Sequence, residues 1–133
     1  MMEDLLAALE LWTQTEPYSS FPCATIGWRL LPALENGRYR LYRGADGEVR
    51  GFVSWGFMTR LEYETREYDG PEVFGRGDGE CLVVVDMIAP YGRNDVVLMC
   101  RDLRVLFKNL YPWHEHVLAH RGRRNGVFPN MGG

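Results

Sequence analysis

The run Cys81-Leu82-Val83-Val84-Val85 constrains this chain more than any other stretch. Five apolar residues without a polar break, three of them β-branched, suit a strand covered on both faces. Such a strand belongs in the middle of a sheet, with helices layered above and below it. Asp86 closes the run, a charge placed where the strand is expected to leave the core. Ala89-Pro90-Tyr91-Gly92-Arg93 then turns the chain, and Asn94 or Asp95 is positioned to cap a helix over about 95–110. That helix carries Val96, Met99, Cys100, Leu103, Leu106, Phe107 and Leu110 on one stripe. Pro112 ends it, and 113–119 (WHEHVLA) reads as a further strand. Strand, helix and strand in this order predict a right-handed crossover with the two strands parallel.

Upstream, 3–12 (EDLLAALELW) spaces Leu5, Leu6, Leu9 and Trp12 as a short amphipathic helix with acids in its first turn. Pro17 and Pro22 mark 13–22 as an irregular crossing, and a second helix is expected over about 24–34, bent near its end by Pro32 and stopped by Asn36-Gly37. Next, 38–43 and 49–57 alternate in polarity around the turn Gly44-Ala45-Asp46-Gly47, which predicts an antiparallel hairpin. The segment 58–68 fits helix and strand periods alike. The Gly-rich stretch 69–80 reads as a surface loop, and 121–128 as a last short strand. Nothing resembles a linker or a repeat, so the expectation is a single domain over 1–133: α/β, a mixed sheet with helices packed on it.

Charge and cysteine usage narrow the function classes. Fifteen basic against eighteen acidic residues give −3, which disfavours nucleic-acid binding by bulk electrostatics. The sign is uneven: residues 1–92 hold 8 basic and 15 acidic groups (−7), and residues 93–133 hold 7 and 3 (+4). Cys23, Cys81 and Cys100 lack metal spacing, and the latter two sit in apolar surroundings, as buried thiols of a reducing compartment do. No stretch approaches a membrane span, and the acidic start is unlike a signal peptide. The expectation is a cytoplasmic protein, or one carried within a virion, with no membrane partner.

Chemistry concentrates at Asp86 and the turn after it. A carboxylate at a strand end, followed by a glycine turn into a helix, is where α/β proteins place sites. The first-turn N–H groups of that helix attract phosphate or a thioester oxygen. Tyr91, Gly92, Arg93 and Asn94 are thus the candidate cofactor-binding residues. The competing reading makes Asp86 a cap for the turn and Gly92 a supplier of positive φ. His114, His116 and His120 have no third ligand nearby, so no metal is expected and surface or edge-strand polar residues are the reading. Trp12, Trp28, Trp55 and Trp113 read as core anchors, and Arg121, Arg123 and Arg124 as a solvated basic tail.

Three ordered motifs add a family likeness. Leu31-Pro32-Ala33-Leu34-Glu35 followed by Tyr39, then Val53-Ser54-Trp55, then Asp86-Met87-Ile88-Ala89-Pro90-Tyr91-Gly92 resemble the toxin-activating lysine acyltransferases that modify RTX haemolysin protoxins. The likeness spans roughly residues 11–120. It implies a fold similar to the GNAT acetyltransferases, a donor acyl group on acyl carrier protein (or CoA) with no tightly bound cofactor, a lysine acceptor and a dimer. It also implies a catalytic histidine and aspartate. The aspartate corresponds to Asp86, while ungapped counting puts the histidine on Tyr18, and no histidine precedes His114. Met87 replaces the motif's tryptophan, Arg93 an acidic residue of some relatives, and no counterpart of the family's C-terminal helix is found before Gly133. Tyrosine ionises near 10, poorly matched to take a proton from an amine at neutral pH. The sequence therefore leads to a non-catalytic structural or binding protein of an assembly, with a protein partner or a second copy. The alternative is an acyltransferase using Asp86 and Tyr18, acting on a lysine or other amine.

Overall fold

Two antiparallel pairings on one side and one parallel ladder on the other surround the apolar strand. The computed structural model describes residues 2–16, 18–66, 71–121 and 124–127. In chain order the elements are α1 (Met2–Gln14), α2 (Cys23–Thr25), α3 (Leu31–Glu35), β1 (Tyr39–Arg43), β2 (Val49–Met58), α4 (Arg60–Thr65), α5 (Pro71–Phe74), β3 (Cys81–Ile88), α6 (Arg93–Leu110), β4 (Val117–Arg121) and β5 (Arg124–Val127). The sheet order is β1-β2-β3-β4-β5, with β3 and β4 parallel and the other neighbours antiparallel. The expected hairpin, its place beside β3, and the crossover through α6 to a parallel strand are all present. Among the described residues no helix is long and apolar enough to cross a membrane.

Alternation along β2 and β3 divides the core into layers. Val53, Trp55, Phe57, Leu82 and Val84 face α6, where they pack on Met99, Cys100, Leu103 and Phe107. The opposite face carries Phe52 and Ile88 against Ala8, Leu11, Trp12, Leu30 and Leu34 of the N-terminal helices. Farther along it, Met58, Cys81 and Val83 meet Tyr63 and Val73. Gly51 lets α6 approach, because a Cβ there would lie 2.6 Å from the Met99 sulfur.

A bulge interrupts this alternation. Ser54 pairs with Asp86 and Trp55 with Val84, so Val85 is an extra residue on β3. Without it, Asp86 would share the α6 face with Leu82 and Val84. With it, Ile88 joins the N-terminal helices and Met87 turns towards α6. Asp86 is therefore not a charge emerging from a finished strand. The strand runs on to Ile88, and Asp86 is 0% exposed within it. The β3–β4 ladder stops at Val84↔Ala119 although both strands continue, so the two part at the bulge.

Other expectations change too. The second helical segment covers 23–35, and Ile26–Leu30 is a π turn in which the Leu31 N–H reaches the Ile26 carbonyl. Pro32 supplies the reason: it has no N–H for the Trp28 carbonyl, and its ring crowds that carbonyl. Residues 58–68 resolve into α4, opened by a capping box in which Thr59 and Glu62 exchange side-chain and backbone hydrogen bonds. The expected loop 69–80 contains α5, while 67–70 lie outside the described residues. β4 begins only at Val117, since 111–116 turn after Pro112, and His114 and His116 precede the strand. Trp12 and Trp55 are core anchors, but Trp28 is half-buried and Trp113 is 67% exposed. Cys81 and Cys100 are buried as expected, and Cys23 is exposed. The expected terminal strand is present as β5, while Arg123 and Phe128 lie outside the described residues.

Leu103 sits fully buried at the centre of the α6 layer. Leu103→Ala removes that contact and leaves a cavity, and is expected to lower stability by about 2–5 kcal/mol. Urea or guanidinium melts check this, and a change below about 1 kcal/mol would mean that α6 is not held by this stripe.

Candidate functional site

The face on which the bulge sets Asp86 is roofed by the π turn. Arg29, inside that turn, meets the carboxylate with two nitrogens. Nε donates to Oδ2 at 3.1 Å, and Nη2 lies 2.6 Å from Oδ1, a charge contact outside hydrogen-bond geometry. Nη2 also donates to the Val85 carbonyl at 3.3 Å, so the guanidinium engages the bulge backbone as well. Ser54 Oγ donates to Oδ2 at 3.1 Å from the neighbouring strand. Asp86 is 0% exposed and the Arg29 side chain 15%. The pair is therefore screened little by salt, and each charge depends on the other for compensation. Phe21 covers the guanidinium, with its ring centre 5.4 Å from Cζ.

Tyr18 completes the centre. It lies in a short 3₁₀ turn, Tyr18–Ser20, and its ring packs between Trp12 and Phe21 at centroid distances of 5.0 and 5.4 Å. Burial first, and then the negative charge of Asp86, push its hydroxyl well above the usual 10. Arg29 and the Met87 backbone N–H act in the opposite sense but do not prevail. Tyr18 is consequently a neutral hydroxyl across the working pH range. The structure thus places the Tyr18 hydroxyl beside Asp86.

The turn residues form a different place. Tyr91, Gly92, Arg93 and Asn94 line an open cleft of about 320 Å³ with Arg50 and Asp95, and neither Asp86 nor Tyr18 is part of its lining. Gly92, at φ 138°, is the N-cap of α6 and has no capping side chain. Asn94 and Asp95 lie within the helix, so neither is the cap expected from the sequence. With no side chain on Gly92, the first-turn N–H groups receive no cap from that residue. Arg50 is already committed: it pairs with Asp95 at 3.0 Å and Glu48 at 3.2 Å, and stacks 5.1 Å over Tyr91. The Tyr91 hydroxyl donates to Gln14 Oε1 at 2.7 Å and ties the turn to α1.

Sequence reasoning missed Arg29 and Ser54 as members of the centre. The signal for Arg29 was present: a single cation in the apolar stretch Ile26–Leu34 demands a buried partner. Asp86 is the one acid in the apolar stretch 81–90. Burial lowers the pKa of His114, and its ring packs against Phe57 and Trp113. Among the described residues no three His, Cys, Asp or Glu side chains converge as a metal site would need.

Because Arg29 has Asp86 as its buried counter-charge, Asp86→Asn keeps the shape and strands the guanidinium. The variant should lose about 3–5 kcal/mol. Replacing both partners by Arg29→Met and Asp86→Leu should restore most of that loss. Thermal and denaturant melts of the two variants read this, and equal losses in both would exclude the pair as the cause.

The profile of the RTX toxin acyltransferase family matches residues 2–126. A relative, the uncharacterized protein sll0720 of Synechocystis sp., is 31% identical over 101 residues. That match covers 74% of this chain and 65% of the relative, so the chain accounts for a little under two thirds of that protein's length. The proline-bent helix, the Ser54-Trp55 strand and the Asp86 strand are the same segments whose order first marked the likeness. With a family profile matching nearly from end to end, the chain belongs to the RTX toxin acyltransferase family.

Proposed function

We propose that the protein is an acyltransferase that moves an acyl group from a thioester donor to an amine. The donor class is acyl carrier protein or acyl-CoA, and the acceptor class a lysine side chain. The observation that carries this reading is the convergence of Arg29, Ser54, Asp86 and Tyr18 at one bulge in a chain of this family. In the reaction the amine nitrogen attacks the thioester carbonyl, the C–S bond breaks, an amide forms, the amine proton passes to solvent, and the donor's sulfur leaves as a thiolate that takes a proton from solvent. The open helix N-terminus beyond Gly92 offers N–H donors to the donor's phosphate. Tyr18 turns its single proton to Asp86, and its oxygen, which already accepts the Met87 N–H, keeps one further lone pair. That lone pair accepts a hydrogen bond from the amine and orients it, while Arg29 and Ser54 fix the carboxylate behind it. Tyr18 does not remove the proton, since its own pKa is raised out of range; solvent does. This order of readings reverses the one the sequence alone gave, and a virion setting has nothing in fold or family to favour it.

One observation favours a second reading. The Asp86 charge is engaged within the fold and Tyr18 is held neutral, which suits a centre that only locks helix to sheet. Under that reading the domain binds an acyl donor or a protein without turnover.

The pH dependence separates the two. With no protein base, acylation of a lysine peptide by labelled acyl carrier protein should climb with pH towards the amine's own range, about 10.4, without levelling near 7. Tyr18→His would supply a base near about 6.5, raising the rate at pH 7 and creating a plateau above it. Tyr18→Phe should be slower with the slope unchanged. A wild-type rate flat from pH 7 to 9 would show a protein base and contradict the proposed role of Tyr18. Binding of the labelled donor with no transfer, in wild type and Tyr18→His alike, would establish the second reading.

A further inference from the structure

The outward face of α6 is chemically one-sided. The helix holds two acids, Asp95 and Asp102, and both are turned to the sheet. Asp95 pairs with Arg50, while Asp102 accepts the Tyr42 hydroxyl at 2.6 Å and pairs with Arg40 at 3.3 Å. Three of its four cations point the other way. Arg101, Arg104 and Lys108 are exposed, and none forms an ion pair among the described residues. Beside this ridge Leu98 and Val105, seven residues apart and so on one line of the helix, are 59% and 61% exposed. Glu115, on the turn that follows, lines a cleft with Arg104 and Lys108 but pairs with neither. A cationic ridge flanked by an aliphatic one has thus been left open on a chain whose net charge is −3.

We infer that this face of α6 docks an acidic protein surface with aliphatic residues among its acids. Under the function proposed above, on which the partner's identity rests, that surface belongs to the acyl carrier. Charge complementarity selects the class. Three unpaired cations steer an acidic partner, and Leu98 and Val105 supply the apolar contact that a phosphate backbone would not use. Position fits as well: Leu98 and Arg101 lie about 7–12 Å along the helix from Arg93, so a partner seated there has the open helix N-terminus within reach of a flexible prosthetic arm.

The test compares two donors. Acyl transfer to a lysine peptide is measured with acyl carrier protein and with the same acyl chain on free pantetheine, which has no protein surface. In the triple variant R101E/R104E/K108E, KM for the carrier donor should rise at least tenfold, and added salt should weaken the wild type in the same sense. The pantetheine donor should be handled equally by variant and wild type. L98S/V105S should raise the carrier KM with less salt dependence. All five side chains are exposed, so melts should be unchanged and a folding loss is recognised directly. An unaltered carrier KM, with transfer intact, overturns the docking face and leaves the proposed function standing. If neither donor turns over, that function fails, and titration of the apo carrier by calorimetry decides the face. At least tenfold weaker binding by the triple variant supports it, and equal or no binding overturns it. Charge-dependent binding of duplex DNA or of vesicles rich in phosphatidylserine, without carrier binding, likewise overturns it.

Discussion

An ionised carboxylate taken fully out of water costs several kcal/mol even after the surroundings relax, and Asp86 is in that position in the middle strand of the sheet. What makes it tolerable is Arg29, arriving from a helix on the same face with two nitrogens for the carboxylate and one hydrogen bond for the bulge carbonyl. The rest of the domain follows from that meeting. The bulge must flip the strand so that Asp86 faces the N-terminal helices, the helix must aim Arg29 at the bulge, and Phe21, packed with Trp12 and Tyr18, must cover the guanidinium. A β-strand without the extra residue would send the charge into the α6 layer, among Val53, Met99 and Leu103, where no cation waits.

A contrast within the same molecule shows how much the counter-charge matters. Arg38, at the start of the hairpin, is also buried, at 6% exposure. Its Nη2 donates to the Phe74 carbonyl at 2.7 Å and its guanidinium lies 5.9 Å from the Phe57 ring centre, but Nε has no partner among the described residues. Burial lowers its pKa, in keeping with a cation held by a carbonyl and a ring and no carboxylate. Arg29 and Arg38 thus divide two tasks that one residue type can perform. One ties helix to strand through an opposite charge; the other closes the gap between α5 and β2 through its apolar stem and a single carbonyl.

Much of the fold was legible because periodicity carries it. The stripe on α6, the alternation of the hairpin and the unbroken 81–85 run each correspond to a buried face. What escaped notice depends on pairing across the chain. Nothing local marks Val85 as a bulge, since it carries no glycine and continues a run of valines, so Asp86 read as a strand end. The π turn follows from Pro32, but a proline near a helix end reads equally as a stop. Thr59-x-x-Glu62 was a readable helix start and would have resolved 58–68. Trp113 was misjudged on composition, and the strand expected over 113–119 took in the histidines beside it, which precede Val117. A turn after Pro112 displaces them from the sheet, which no count of aromatics reveals. At the centre, Asp86 was marked by its place after the apolar run and Tyr18 by family likeness, Arg29 had a readable signal as a lone cation in an apolar stretch, and Ser54 required the register of β2 against β3.

The slipped hydrogen bond from Leu31 to Ile26 has a consequence for how this chain can vary. A π turn spends one more residue per turn than an α-helix, so closing it would rotate everything on its N-terminal side by roughly one residue's angle, about 100°. Arg29 lies within that turn, Pro32 is what keeps it open, and the Pro32 side chain has no polar group to offer Asp86 or Tyr18. The aim of the guanidinium is therefore set from three positions away, by a ring that contributes no charge and no hydrogen bond to the centre. Residues of this kind act as bearings, fixing the angle at which a reactive group is presented while remaining silent in any inventory of its contacts.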